Sequence, residues 1–341
     1  MKVMIIVVTH QRTRLLKTLL QSIDAAQIPA SMNLNLTFGI NGADPDAEIV
    51  LADQQKKSRM VLSYQVFQSR LDPSLARQKL LDQVTENWPD WFCFLDDDVI
   101  LPANYFSIFS EVNSRLPAAS FIGGPNLTPE ENGSFEKASG LVLSSPIATG
   151  PFSKRYHNGG QGKMSRSDAP FILCNLWVKS DVLRVLRFPN TVGGGEENEI
   201  LLEGFRLGRF AYFEPELWLW HHRRANLSSF TIQIMKYGRG RGNIIRAKYP
   251  SLLFKMMLLV LIAVIIWILG QLSIMNFFFL AGSYLTVTAA GTLKLAILAK
   301  KTESQSLGQF RWLFSVWALF SVIHVSYLVG LIFGYVWKKA S

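Results

Sequence analysis

Trp91-Phe92-Cys93-Phe94-Leu95-Asp96-Asp97-Asp98 is the stretch that decides the fold. Its five apolar residues read as a short strand buried on both faces, and three carboxylates follow at once. Like charges this close repel and raise each other's pKa unless a cation compensates them. Oxygen-only ligands favour Mg²⁺ or Mn²⁺, ions that commonly share their shell with substrate phosphates. An Asp-x-Asp pair at a strand end, Asp96 and Asp98, therefore reads as a metal clamp for a nucleotide diphosphate. The competing reading is a solvated acidic turn capping the next helix.

Working outward, Val3-Met4-Ile5-Ile6-Val7-Val8 is another doubly buried strand, broken by Thr9-His10-Gln11-Arg12. Leu15, Leu16, Leu19, Leu20 and Ile23 follow at helical spacing. Residues 35–40 form a second strand that ends in the turn Asn41-Gly42-Ala43-Asp44-Pro45-Asp46, and a helix runs near 74–86. Strand and helix in alternation predict an α/β domain with a mostly parallel, Rossmann-like sheet, whose ligands sit at the carboxyl ends of the strands. The polar turns fall at those ends.

The tail differs in kind. Three segments, 252–269, 274–299 and 312–337, are apolar and long enough to span a bilayer. Arg239, Arg241, Arg246, Lys248 and Lys255 precede the first, and Lys300, Lys301 and Arg311 lie between the second and third. The connector Gly270-Gln271-Leu272-Ser273 is uncharged. This asymmetry predicts a multi-pass protein of the cytoplasmic (inner) membrane with its catalytic domain facing the cytoplasm. Lys338 and Lys339 then fall outside, outvoted by the other loops. The expected divisions are a catalytic domain over 1–225, a basic amphipathic juxtamembrane segment over 226–251, and three transmembrane helices over 252–341.

A formal charge of +10 over 341 residues points to an acidic partner. No nucleic-acid-binding motif accompanies the charge, which favours anionic lipid or a phosphorylated substrate. Cys93 and Cys174 each lie in an apolar run and read as reduced core residues, suiting a cytosolic compartment. The opening apolar run is too short for a signal peptide.

Three further stretches carry chemistry. In Gly193-Gly194-Gly195-Glu196-Glu197-Asn198-Glu199-Ile200, glycines precede carboxylates in the first turn of a helix. These acids serve either as a general base for an acceptor hydroxyl or as a favourable charge at the helix N-terminus. In Trp218-Leu219-Trp220-His221-His222-Arg223-Arg224, imidazole is able to ligate a metal and arginine to pair with phosphate; a structural role is the alternative. Residues 233–242, Gln-Ile-Met-Lys-Tyr-Gly-Arg-Gly-Arg-Gly, read as substrate-binding, as a basic stretch at anionic headgroups, or as both.

Together these residues resemble an inverting family-2 glycosyltransferase of the GT-A fold, over essentially residues 1–250. Thr9-His10-Gln11-Arg12 is similar to that family's opening Thr-Tyr-Asn-Arg-like turn, and Asn41-Gly42-Ala43-Asp44 to its nucleotide-contacting turn, with Asp44 as the alternative contact to Asn41. Leu75-Ala76-Arg77-Gln78-Lys79 resembles its Ala-Arg-Asn-x segment near the diphosphate, and Phe94-Leu95-Asp96-Asp97-Asp98 with Pro102 resembles its metal motif. Gly195-Glu196-Glu197-Asn198-Glu199-Ile200 is similar to Gly-Glu-Asp-x-Glu-Leu, which carries the catalytic base to Glu197, with Glu196 as runner-up. The stretch from His222 to Arg241 resembles the succinoglycan-type membrane-anchored branch, and Gln233-x-x-Lys236-Tyr237 a degenerate form of the Gln-x-x-Arg-Trp segment of processive synthases.

The resemblance implies donor contacts from Thr9, Gln11, Arg12, Asn41, Asp44, Arg77, Asp96 and Asp97. It implies acceptor or phosphate contacts from His222, Arg224, Gln233, Lys236, Tyr237, Arg239 and Arg241, and a Mn²⁺ or Mg²⁺ site built from Asp96, Asp98 and His222. The expected activity moves one hexose-type sugar from a nucleotide-sugar to a lipid-linked saccharide or polyprenyl phosphate in surface glycan or exopolysaccharide synthesis. A processive polysaccharide synthase and a non-catalytic glycan-assembly scaffold are the alternatives. For topology, a cysteine introduced at Gln271 should react with an impermeant maleimide added outside intact cells, and one at Gln305 should not. Labelling at 305 would invert the orientation.

Overall fold

The computed structural model describes residues 1–189, 194–248, 274–302 and 309–336. Its chain opens β1 (Lys2–Thr9), α1 (Thr13–Ala25), β2 (Asn33–Asn41), α2 (Pro45–Lys57), β3 (Val61–Phe67), α3 (Pro73–Asp82), β4 (Trp91–Asp96). Then come β5 (Val99–Ile100), α4 (Tyr105–Arg115), β6 (Phe121–Gly123), β7 (Asn126–Leu127), α5 (Ser134–Leu143), α6 (Pro146–Thr149) and a 3₁₀ turn (Gly150–Tyr156). The remainder is β8 (Lys163–Ser165), β9 (Asn175–Lys179), α7 (Ser180–Leu183), α8 (Glu196–Arg206), β10 (Ala211–Phe213), β11 (Leu219–His221), α9 (Leu227–Lys248), α10 (Ile274–Thr302) and α11 (Gln309–Val336).

By contact the described chain falls into two units, Met1–Gly140 with Pro151–Arg223, and Leu141–Gly150 with the residues from Arg224 onward. The first is a mixed α/β unit around an eight-stranded sheet of order β3-β2-β1-β4-β9-β6-β10-β8. Strands β3, β2, β1 and β4 are parallel, as the apolar runs at 3–8 and 91–95 predict. From β9 onward the pairing is mixed, because β9 runs antiparallel to both β4 and β6. The expected mostly parallel sheet thus holds without a break only in its N-terminal half; beyond it β6 and β10 pair parallel between antiparallel neighbours. The sheet also gains β3 and the flanking helix α2, which the sequence reading left out.

A smaller sheet, β5-β11-β7, carries the polar segment 219–221 beside the end of β4. One buried network fixes it. Tyr105 Oη donates to Asn175 Oδ1 at 2.6 Å, and Trp177 Nε1 donates to Tyr105 Oη at 3.0 Å. The Asn175 amide in turn donates to the carbonyls of Pro125 (3.0 Å) and Leu217 (2.7 Å), the residues that lead into β7 and β11. Trp177 stacks on Phe109 with ring centroids 3.5 Å apart, which locks α4 to β9.

In the second unit, α10 and α11 contain Phe278–Ile297 and Trp312–Val336, with mean hydropathies of 1.2 and 2.1. Both are long and apolar enough to cross a membrane. The first expected span, 252–269, the connector 270–273, the loop residues 303–308 and Lys338 and Lys339 lie outside the described residues. Helix α9 packs on α11 with backbones nearly touching. A Cβ on Gly238 would stand 2.1 Å from the Tyr327 carbonyl oxygen, and one on Gly330 would stand 2.0 Å from that of Met235. Gly242 and Gly334 are equally tight, so each helix presents a Gly-x-x-x-Gly face, the device that lets apolar helices approach without a hydrophobic drive between them. Segment 141–150 joins this unit: the Ile147 carbonyl lies 3.0 Å from His324 Nε2, whose Nδ1 is 3.0 Å from Tyr284 Oη.

Replacing Asn175 by Ala should cost roughly 1–3 kcal/mol for each carbonyl left without a donor, against only a few atoms removed from the core. Chemical denaturation of purified protein measures it; a loss under about 1 kcal/mol would show that water replaces the amide.

Candidate active site

Asp96, Asp97, Asp98, Glu196 and Glu197 stand where a parallel strand or a helix N-terminus leaves them, and each meets a cation. Asp96 closes β4, with Asp97 and Asp98 in the turn to β5. Arg12, at the N-cap of α1, donates from Nη1 to Asp97 Oδ1 at 2.9 Å and Asp98 Oδ2 at 2.8 Å. Burial works against the Arg12 charge, but Asp98 and Asp97 outweigh it and hold the guanidinium above its ordinary pKa. Thr9 Oγ1 donates to Asp97 Oδ2 at 2.8 Å. Burial, reinforced by the neighbouring Asp98 charge, pushes the Asp97 carboxyl up to about 6.

Arg77, buried on α3, joins the two acidic motifs. It donates from Nη2 to Asp96 Oδ1 and from Nη1 to Glu196 Oε1, both at 2.8 Å. Glycines at 194 and 195 adopt φ of 89° and 90°, a left-handed turn that delivers Glu196 and Glu197 into the first turn of α8. Neither of these two carboxylates is left merely to cap the helix. Glu196 faces Arg77, and Glu197 Oε1 accepts from Arg155 Nη1 at 3.2 Å. Burial drives the Glu196 carboxyl up to about 7, with the Glu197 charge adding to the rise and Arg77 opposing it.

The two histidines divide. His221, buried on β11, sets Nε2 3.0 Å from Asp98 Oδ1, whereas His222 Nδ1 lies 2.8 Å from Asn132 Oδ1. Asp96, Cys174 and His221 offer donor atoms within 4.8 Å of one another. Burial holds the Cys174 thiol well above its ordinary pKa, and hard ions such as Mg²⁺ or Mn²⁺ favour the carboxylates over sulfur. Cis ligands on an octahedral ion of Mg²⁺ size sit about 3 Å apart, the separation of Asp98 Oδ1 from His221 Nε2. Arg12, Arg77 and Arg155 each face these carboxylates, and Arg223 Nη1 lies 3.4 Å from His221 Nδ1. The residues present fit such an ion.

Other sequence candidates make local contacts in the ligand-free fold. Asn41 exchanges two hydrogen bonds with the Leu71 backbone at 2.8 and 2.9 Å. Asp44 caps α2 through Ala47 N and accepts from Gln11 N at 2.6 Å, holding Gln11 in a left-handed conformation of φ 52°. Arg224, Gln233, Lys236, Tyr237, Arg239 and Arg241 belong to the second unit. On α9, Gln233 Nε2 donates to Tyr237 Oη at 3.1 Å, and Lys236 is exposed. Arg155 lies outside every sequence motif, and His221 enters only as part of the histidine pair from which His222 is the expected ligand. The alternation buried–half-buried–buried along Leu219-Trp220-His221 would have picked the inward histidine; nothing local marks Arg155.

No protein-family model and no curated protein matches the sequence. Solved structures do match in shape. A mannosyltransferase from Pyrobaculum calidifontis, PcManGT, solved with GDP-Man and Mn²⁺, superposes with a TM-score of 0.58 at 13% identity, over 99% of this chain and 88% of its own. TarS from S. aureus with UDP-GlcNAc gives a TM-score of 0.47 at 9% identity, over 98% and 90%. The mannosyltransferase likeness shows a shared fold.

Glu196 makes the site sensitive to pH. Its folded pKa, about 7, lies above its ordinary 4.5, so folding takes up a proton in that interval. Stability from this group is greatest below the lower value, falls as pH rises between the two, and is constant above. Glu196→Gln should therefore flatten the decline in melting temperature across that window, leaving the parallel slope from Asp97. Identical pH profiles for the two proteins would show that Arg77 keeps Glu196 ionised throughout.

Proposed function

We propose that this protein is an inverting, metal-dependent glycosyltransferase of the GT-A type that takes a hexose-type sugar from a nucleotide-sugar donor. The observation that carries the reading is the Asp96–Arg77–Glu196 bridge beside the Asp98–His221 pair: donors suited to a divalent cation and a pair of buried glutamates stand near the end of β4. The fold shared with a mannosyltransferase solved with GDP-Man and Mn²⁺ supports it.

In this reading Thr9, Gln11, Arg12, Asn41 and Asp44, at the carboxyl ends of β1 and β2, form the wall against which the nucleotide lies. Asp98, His221 and Asp96 would hold Mn²⁺ or Mg²⁺, with His221 in the place expected of His222, and a bound ion would supply charge neutralisation for the departing diphosphate. Glu197 accepts the proton of an acceptor hydroxyl, whose oxygen bonds to the anomeric carbon as the bond from that carbon to the diphosphate oxygen breaks. The nucleoside diphosphate leaves on the opposite face, and the configuration inverts.

We further propose that the acceptor is lipid-borne, a polyprenyl phosphate or a lipid-linked saccharide on a path to surface glycan. Two apolar helices of spanning length and the basic, amphipathic α9 support this. The positive flanks of those helices favour a cytoplasmic catalytic domain at the inner membrane.

The metal reading is tested by nucleotide release from GDP-mannose and UDP-GlcNAc in the presence of a membrane lipid extract. EDTA should abolish turnover and Mn²⁺ or Mg²⁺ restore it. Asp98→Ala should be inactive, Asp96→Ala severely impaired, and His221→Ala far worse than His222→Ala. Full activity in chelator would sink the clamp.

A further inference from the structure

Two adjacent glutamates begin α8, and different arginines hold them. Arg77 ties Glu196 to Asp96 on the donor side. Glu197 belongs to Arg155, in the 3₁₀ turn Gly150–Tyr156, a residue that no sequence motif marks.

Arg155 is buried, and every nitrogen of its guanidinium is engaged. Nε donates to the Ala169 carbonyl at 2.7 Å, and Nη2 donates to the Asp168 carbonyl at 3.3 Å and to Asn198 Oδ1 at 2.9 Å. Nη1 donates to Glu197 Oε1 at 3.2 Å. The Phe152 ring lies under the group, 4.9 Å from its central carbon. Two backbone carbonyls and a ring thus fix the plane of the fork before any carboxylate meets it. Asn198 closes the set, donating from Nδ2 to the same Glu197 Oε1 at 3.3 Å.

Both bonds to Glu197 fall on one oxygen. A glutamate arm has one torsion more than an aspartate, and a base that wanders loses rate through lost orientation. We infer that Arg155 is a positioning residue: with Asn198 it grips Glu197 by Oε1 and presents Oε2 to the acceptor hydroxyl. The inference rests on Glu197 as the base. It also explains why the two glutamates are not interchangeable, since Glu196 is turned by Arg77 toward Asp96.

The test uses the full chain in detergent, with nucleotide release from GDP-mannose or UDP-GlcNAc and a lipid extract as acceptor source. Arg155→Met should lower kcat by about tenfold to a hundredfold while leaving the donor KM within about twofold. Arg155→Lys should recover much of that loss. On a Glu197→Gln background, Arg155→Met should cost nothing further, because residues acting through one carboxylate are not additive. Should Arg155→Met not fold, Arg155→Lys carries the test: a severalfold kcat loss that vanishes on the Glu197→Gln background. Wild-type turnover by Arg155→Met beside a crippled Glu197→Gln overturns the role of Arg155 and spares the base. An Arg155→Met loss that persists in full on Glu197→Gln, or a raised donor KM, overturns it as well. Wild-type turnover by Glu197→Gln overturns the base reading itself.

Discussion

The site depends on one constraint: five carboxylates are gathered at the end of a sheet and cannot stand there unpaired. Removing a charge from water without a partner is prohibitive, so each acid either meets a cation or gives up its charge. The chain uses both solutions. Arg12, Arg77 and Arg155 take Asp97 and Asp98, Asp96 and Glu196, and Glu197 respectively. Asp97 and Glu196, pushed up to about 6 and about 7, stand closest to neutrality at physiological pH. Asp98 and His221, 3.0 Å apart, stand beside these pairs, and the proposed cation site draws on them.

Apolar packing supplies the precision this arrangement needs. The Asp98–His221 pair joins a turn after β4 to a strand in a separate small sheet, and a shift of either would pull the donors apart. Asn175 prevents that shift by holding the carbonyls at the entrances of β7 and β11, and Tyr105, Trp177 and Phe109 fix Asn175 in turn. A buried polar network with every member satisfied specifies one arrangement more sharply than apolar contacts do.

Legibility in the sequence followed the range of the interaction. Local signals were plain: β1 and β4 announced themselves as apolar runs, the Asp triplet as the turn after β4, and the glutamate pair as the glycine-led start of α8. Strand β9, Asn175–Lys179, has the same character as β4, but nothing local says that it enters antiparallel; its two neighbours decide that. Strand β3 alternates weakly at the sheet edge, with Val61 exposed, so its pattern is faint. Arg155 lies 42 residues from Glu197, and an arginine in a turn reads as solvated until the fold buries it. The histidine pair turns on a smaller matter: His221 ends β11 and His222 follows it, and a single residue of register decides which meets Asp98.

The glycine-rich end of α9 shows how one segment answers two demands. Residues 233–242 read as substrate-binding because basic and aromatic residues alternate with glycines. Packing accounts for two of those glycines: Gly238 and Gly242 face Gly330 and Gly334 of α11 so closely that any side chain would meet backbone. Their spacing of four keeps them on one helix face, and the polar residues are thereby forced onto the others. There Gln233 and Tyr237, four apart, are hydrogen-bonded to each other, with Lys236 exposed beside them. The glycines thus need no substrate to explain them, whereas Gln233, Lys236 and Tyr237 form a polar stripe beside them. That stripe is where the proposed role in binding the head of a lipid-linked acceptor belongs.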